Sequence, residues 1–177
     1  PTTIVDDTAS TNEDTAVDID VVANDTDVDD KSPVATVTQP TNGTVSINAD
    51  GTIKYTPDTD FNGEDTFSYT NEEGNTGTVT VTVDPVDDQT VVVDDTASTD
   101  EDTAVDIDVV ANDTDVDDKS PVATVTQPTN GSVSINADGT IKYTPDADFN
   151  GEDTFSYTNE EGNTGTVTVT VDPVDDQ

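Results

Sequence analysis

The side chains able to do chemistry in this chain are carboxylates, and they come in runs. Asp113-Thr114-Asp115-Val116-Asp117-Asp118 sets acids at alternate positions, so that one loop can turn several oxygens toward a common point. Asp87 and Asp88 precede it in the segment that begins at Asp84-Pro85-Val86, and Glu13-Asp14, Asp58, Asp60, Glu64 and Asp65 lie further back. There is no His, no Cys and no Arg, which removes imidazole bases, thiol nucleophiles and thiolate or imidazole metal sites. What remains is oxygen-donor chemistry. Calcium takes about six to eight oxygen ligands, mostly carboxylate and carbonyl, in adaptable geometry. Paired carboxylates also hydrolyse glycosides, but no distinctive single-copy site supports that here, and the expected class is not an enzyme.

Charge narrows the partners. The chain has 177 residues, 41 acidic and 4 basic, for a formal net charge of −37. Its four cations are Lys31, Lys54, Lys119 and Lys142. Phosphate binding needs Lys and Arg, so nucleic acid and anionic membrane are excluded as partners. The expected partners are cations, calcium ions first among them, cationic surfaces, or neutral ligands such as sugars bound through a metal. Without Cys there is no disulfide framework, and bound metal is the other common source of rigidity. No run of roughly 18 apolar residues is present to span a membrane, and the start, Pro1-Thr2-Thr3-Ile4, is not a signal peptide. The chain reads as a piece of something longer.

Leu, Met and Trp are absent, so Val, Ile and Phe must supply most of the core. Composition alone borders on that of disordered chains, and the pattern argues against disorder. Shifted by 88 residues the sequence overlays itself: Val5 to Gln89 matches Val93 to Gln177 with three changes, Asn12 to Asp100, Thr44 to Ser132 and Thr59 to Ala147. Such near-identity means tandem duplication, and the period suits a small sandwich domain rather than a solenoid unit. The expected domains are residues 1–88 and 89–177.

Turn signals cut each copy into seven short stretches. In the first they are Thr3–Thr8, Thr15–Val21, Val34–Thr38, Thr44–Asn48, Thr52–Thr56, Asp65–Thr70 and Thr76–Val83. Apolar and polar residues alternate along them, β-branched types dominate, and no window has helical periodicity. Asp50-Gly51 between two alternating runs is a hairpin signal. The expected fold is all-β: two tandem seven-stranded Greek-key β-sandwiches of the cadherin or immunoglobulin kind, arranged end to end. Asp65-Thr66-Phe67-Ser68-Tyr69 has the spacing found near the tyrosine corner of such domains. The expected core is Val17, Ile19, Val21, Val37, Val45, Ile47, Ile53, Tyr55, Phe67, Tyr69, Val79, Val81 and Val83, with their copies. Gly43, Gly51, Gly63 and Gly77 read as turn residues.

This topology sorts the acids by pole. Glu13, Asp60, Asp65, Asp87 and Asp88 fall where the first copy ends, and Asp115, Asp117, Asp118 and Glu161 where the second begins, so both sets converge on one junction. The outer poles carry matching half-sites: Asp27, Asp29, Asp30 and Glu73 on one side, and Glu101, Asp148, Asp175 and Asp176 on the other. Acidity that only served a salt-rich medium would spread evenly over the strands instead. Some acids are there, Asp18 and Asp20 among them, and these belong to solvent.

Several motifs carry a resemblance. They are Asp-Asp-Thr-Ala-Ser-Thr-Asn-Glu-Asp-Thr-Ala-Val from Asp6, Ala-Asn-Asp-Thr-Asp-Val-Asp from Ala23, Asn-Ala-Asp-Gly-Thr-Ile-Lys-Tyr-Thr-Pro-Asp from Asn48 and Phe-Asn-Gly-Glu-Asp-Thr-Phe-Ser-Tyr-Thr from Phe61. Together they resemble the bacterial cadherin-like tandem repeats of giant RTX-type surface adhesins, over essentially the whole chain. The resemblance implies calcium-stapled extender domains at the bacterial cell surface, monomeric and stacked on neighbouring repeats of the same chain, holding a ligand-binding tip away from the cell. It puts the linker pair on Asp87 and Asp88, the first-strand Glu on Glu13, the Asp-x-Asp of the following domain on Asp115 and Asp117, and a late loop acid on Glu161. Asp118 stands where the pattern has Gly. The glycine-rich nonapeptide of RTX tails is absent. The alternative is a calcium-dependent adhesion module binding carbohydrate or itself, for which Phe61 is the one aromatic candidate.

Overall fold

The computed structural model describes residues 1–175. They fall into two units, Pro1–Val86 and one that begins at Asp87. The first contains β1 (Asp7–Asn12), β2 (Val17–Ile19), β3 (Val34–Val37), β4 (Gly43–Ile47), β5 (Ile53–Pro57), β6 (Gly63–Asn71) and β7 (Thr76–Asp84). The second repeats them as β8 (Asp95–Asp100), β9 (Val105–Ile107), β10 (Val122–Val125), β11 (Gly131–Ile135), β12 (Ile141–Pro145), β13 (Gly151–Asn159) and β14 (Thr164–Asp172). Each unit is a sandwich of a four-stranded sheet, ordered β1-β7-β6-β3 in the first, and a three-stranded sheet, ordered β2-β5-β4. β1 runs parallel to β7, and every other pairing is antiparallel. Among the described residues no helix is long and apolar enough to cross a membrane.

Two-residue alternation builds the core. Along β7, Gly77, Val79, Val81 and Val83 are buried while Thr76, Thr78 and Thr82 face out. β5 does the same with Ile53, Tyr55 and Pro57, and β6 with Asp65, Phe67, Tyr69 and Asn71. The Tyr55 and Phe67 rings stack across the sandwich with centroids 6.4 Å apart and planes 7° from parallel. Ile53, Tyr55, Phe67, Tyr69, Val79, Val81 and Val83 form one cluster with Ile19, Val21 and Val45, and the second unit repeats it residue for residue.

The first strand differs from expectation. The apolar pair Ile4-Val5 points to Thr3–Thr8, but Thr3 makes only an isolated bridge to Thr26, and the strand is the polar run Asp7–Asn12. β1 is an edge strand of its sheet, so it needs backbone pairing to β7 more than apolar side chains. Ile47 also departs from the expected core. It ends the edge strand β4 and is 39% exposed. Val17 and Val37 are half-buried against the core.

Gly43 and Gly77 are not turn residues. Both lie within strands, under tyrosine rings: a Cβ at Gly77 would stand 2.7 Å from the Tyr69 ring and from Ile4 Cγ2, and one at Gly43 would stand 2.6 Å from the Thr56 carbonyl oxygen. Tyr69 in turn does not close a local tyrosine corner. Its hydroxyl reaches Asp7 and the carbonyl of Val21, far back in the chain. Overpacking of a filled core costs about 1–3 kcal/mol. Gly77→Ala should therefore destabilise the first unit by an amount in that range and lower its urea midpoint accordingly. Gly74→Ala, in open space at the β6–β7 turn, should cost only the strain of its positive φ. Equal losses from the two would show that ring contact at Gly77 is not what limits this position.

Candidate functional site

Within each unit the carboxylates collect in three places. Where the chain comes into the second unit, Thr90 is the organiser. Its backbone N–H donates to Glu161 Oε2 at 2.8 Å, and its hydroxyl donates to Asp115 Oδ2 at 2.6 Å while accepting the Ser120 N–H at 2.9 Å. Asn163 Nδ2 donates to the Thr90 carbonyl at 3.0 Å. Asp115 Oδ1 takes the N–H groups of Asp117 and Asp118 at 3.0 and 3.3 Å, so the loop curls around its own first carboxylate. Asp88 N–H donates to Asp117 Oδ2 at 3.2 Å. Asp87, Asp118, Glu160 and Glu161 line an open concavity together with Lys119, Ser120 and Pro121.

The first unit builds the same arrangement with Thr2. Its N–H donates to Glu73 Oε2 at 2.7 Å and its hydroxyl to Asp27 Oδ2 at 2.9 Å, and Asp27 Oδ1 takes the Asp29 N–H at 3.1 Å. Asp29 and Asp30 are exposed. These hydrogen bonds favour the ionised acids. Asp27 is held below the ordinary carboxylate range by the Asp29 N–H and then the Thr2 hydroxyl, and Asp115 by the Thr90 hydroxyl and then the Asp117 N–H.

At the other end of the first unit, Glu13 is buried at the close of β1. Its Oε1 accepts the Val86 N–H, and its Oε2 accepts from Asn62 Nδ2 at 3.3 Å. Asp14 Oδ1 accepts the Asp60 N–H at 3.2 Å. Asp14 and Asp60 both adopt left-handed backbone, at φ 56° and 58°, which Asp tolerates better than most residues. In the second unit Glu101 repeats these contacts with Val174 N–H at 2.6 Å and Asn150 at 3.2 Å, and Asp102 with Asp148 N–H at 3.2 Å. Asp175 is exposed, and Asp176 lies outside the described residues.

Asp65 is set apart from the other acids. It is buried inside the sandwich, and its oxygens accept the Tyr55 hydroxyl at 2.9 Å, the Asn42 N–H at 3.1 Å and the Thr41 and Thr66 N–H groups at 3.3 and 3.1 Å. That environment ties the loop after β3 to β5 and β6. Four donors meet this carboxylate, which sets it apart from the expected ligands at the ends of the unit.

The third place is interior: Asp7 at the start of β1 and Asp25 in the loop after β2, with Tyr69 beside them. Sequence reasoning passes over this pair, as it does Thr2 and Asn62. Asp25 is within its reach, since it extends the alternation Asp27, Asp29 by one step back.

At the two ends of each unit the donors are oxygen only, each carboxylate has about four lone-pair sites, and the hydrogen bonds above use only some of them. Among the described residues no lysine pairs with a carboxylate. Lys31 and Lys119 spend their ammonium groups on the carbonyls of Ala23 and Ala111 instead. Such a donor set fits a hard cation. Phe61, half-buried, packs against the core.

Two seven-stranded sandwiches with this strand order define an immunoglobulin- or cadherin-like tandem repeat. The chain belongs to the bacterial Ig domain family, which matches residues 1–84 and 87–172. Among solved structures it is similar to the protocadherin GammaB4 extracellular domain, with 16% identity and a TM-score of 0.51, over 96% of this chain and 31% of that one. The human desmocollin-1 ectodomain matches with 16% identity and a TM-score of 0.48, over 99% of this chain and 42% of that one. The titin Z1Z2 domains in complex with telethonin match with 15% identity and a TM-score of 0.35, over 98% of each chain. The chain thus spans about a third of the protocadherin fragment it resembles. No curated protein matches it.

The Asp65 environment has a direct check. Tyr55→Phe removes one buried donor and leaves Asp65 Oδ2 with the Asn42 N–H alone; a hydrogen bond to a charged group contributes about 1.5–3 kcal/mol. Chemical denaturation should show a loss of that size, and equilibrium dialysis against calcium should show the same number of bound ions as the parent chain. A drop in ion number would show that Asp65 is a metal ligand.

Proposed function

We propose that the chain is a calcium-rigidified extender segment of a bacterial cell-surface adhesin of the RTX type, a spacer that carries a binding tip away from the cell and has no catalytic role. The observation that carries this reading is the way acids take hold of the linker backbone. Val86 gives its N–H to Glu13 of the first unit, and two residues on, Asp88 gives its N–H to Asp117 of the second. Thr90 is then gripped by Asp115 and Glu161. A segment this short, flanked by unneutralised carboxylates, calls for a cation, and calcium accepts such oxygen donors without demanding strict geometry. Membership of a bacterial Ig domain family and the likeness to a protocadherin extracellular domain support an extracellular, non-enzymatic module.

Calcium held by Glu13, Asp87, Asp88, Asp115, Asp117, Asp118 and Glu161 would remove the conformational freedom of the linker. The outer acids Asp27, Asp29, Asp30 and Glu73, with Glu101, Asp148, Asp175 and Asp176, would complete sites only with neighbouring repeats. A ligand that binds only the folded state stabilises it by about 2.7 kcal/mol at a hundredfold excess over Kd.

Millimolar calcium should accordingly raise the melting temperature well beyond what sodium does at matched ionic strength, and small-angle scattering should narrow from a broad to a single extended distribution. Asp115→Asn with Asp117→Asn keeps size and removes two charges. In calcium this double variant should scatter like the parent chain in chelator while its circular dichroism stays native. Equal effects of the two salts, or a double variant as stiff as the parent, would remove calcium from the linker.

A further inference from the structure

Asp7 and Asp25 are 8% and 3% exposed. Asp25 Oδ1 accepts the Val5 N–H at 2.9 Å, while its Oδ2 is buried and accepts no hydrogen bond. The Tyr69 hydroxyl stands 3.3 Å from Asp7 Oδ2 and 3.1 Å from the Val21 carbonyl, and its single proton cannot satisfy both. The negative charges of Asp25 and Asp6 both reach Asp7. No lysine answers them, since Lys31 is spent on the Ala23 carbonyl. The second unit repeats the tyrosine and backbone contacts, while among the described residues the unmet oxygen of this pair is recorded at Asp25. Tyr157 stands 3.3 Å from Asp95 Oδ2 and 3.2 Å from the Val109 carbonyl, and Asp113 Oδ1 takes the Val93 N–H at 2.8 Å.

Two buried carboxylates with one unmet oxygen and a divided hydroxyl are costly unless something positive joins them. We propose that Asp7 and Asp25, and likewise Asp95 and Asp113, hold one divalent cation inside each unit, independent of the linker acids. The donors are all hard oxygens, with the Val21 carbonyl and the Asn24 side chain close by, so the ion is of the calcium type rather than zinc or copper. A proton would neutralise only one of the two charges. The ion would join the start of β1 to the loop that goes on to carry Asp27 and Asp29. It would thus brace the incoming end of each unit from within, whether or not the linker binds calcium.

The test uses the full chain. Asp25→Asn with Asp113→Asn keeps the Oδ1 bond to the backbone N–H of Val5 or Val93 and removes the buried charge. Equilibrium dialysis with calcium should count two fewer ions per chain than the parent, whereas Asp115→Asn with Asp117→Asn should retain these two. Terbium replaces calcium at oxygen sites and emits when a nearby tyrosine is excited, and the chain has no Trp to compete. Tyr69→Phe with Tyr157→Phe should therefore lose most tyrosine-sensitised emission with the ion count unchanged, and Tyr55→Phe with Tyr143→Phe should keep it. If the asparagine variant folds poorly, Asp7→Asn with Asp95→Asn gives the same count. An unchanged ion number in the asparagine variants, or emission indifferent to Tyr69 and Tyr157, overturns the proposal. So does a carboxyl carbon-13 shift showing Asp7 protonated at neutral pH in saturating calcium.

Discussion

Uncompensated negative charge is the constraint on which the rest of this structure depends. With a formal net charge of −37 and four lysines, the fold cannot neutralise its acids by ion pairing, and it meets them with neutral donors instead. Backbone N–H groups and hydroxyls converge on Asp115, Glu161, Asp27 and Glu73 at the ends of the units. Inside the sandwich, Asp65 is given four such donors. This arrangement stabilises each acid locally but removes no charge, so the mutual repulsion remains and works against the compact state. A metal ion is what would reverse it.

Tyrosine joins the acid shell to the core. Leu, Met and Trp are absent, so the large buried volumes are Tyr55, Tyr69 and their copies, each fully enclosed and each ending in a hydroxyl that must find an acceptor. Tyr55 finds Asp65, which anchors the loop after β3. Tyr69 finds Asp7 and the Val21 carbonyl, which ties β1 and the segment after β2 to β6. Burial foremost, with the nearby carboxylates, pushes both phenols above their usual range, so they stay donors. The glycines under the rings, Gly43 and Gly77, let the backbone approach close enough for this packing. One set of contacts thus fills the interior and positions the carboxylates.

Much of this is legible in the order of residues. The shift by 88, the alternation in β5, β6 and β7 and the Asp-Gly hairpin follow from chemistry that is local in sequence, because a strand with one wet face writes its period directly into the chain. The gathering of acids into loops is equally visible, and with it the restriction to oxygen-donor chemistry. Readings that depend on an isolated apolar residue fare worse. Ile4-Val5 draws the first strand too early, since an edge strand is held by backbone pairing that any sequence can supply. Alternation places Ile47 in the core, but it cannot tell an edge strand's last residue from an interior one.

What the sequence determined by itself is the duplication, the all-β class, the polyanionic character and the absence of thiol and imidazole chemistry. These are properties of composition and short-range pattern. Only the tertiary structure separated one aspartate from another. Asp65, Asp25 and Asp115 look alike along the chain, yet the first is enclosed by donors, the second is buried with an oxygen unmet, and the third is tied to Thr90. The physical reason is that a carboxylate's behaviour is set by which distant N–H and hydroxyl groups the fold brings to it and by how much water it leaves. Those neighbours lie tens of residues away: Thr90 is 71 positions from Glu161, and Tyr69 is 62 from Asp7.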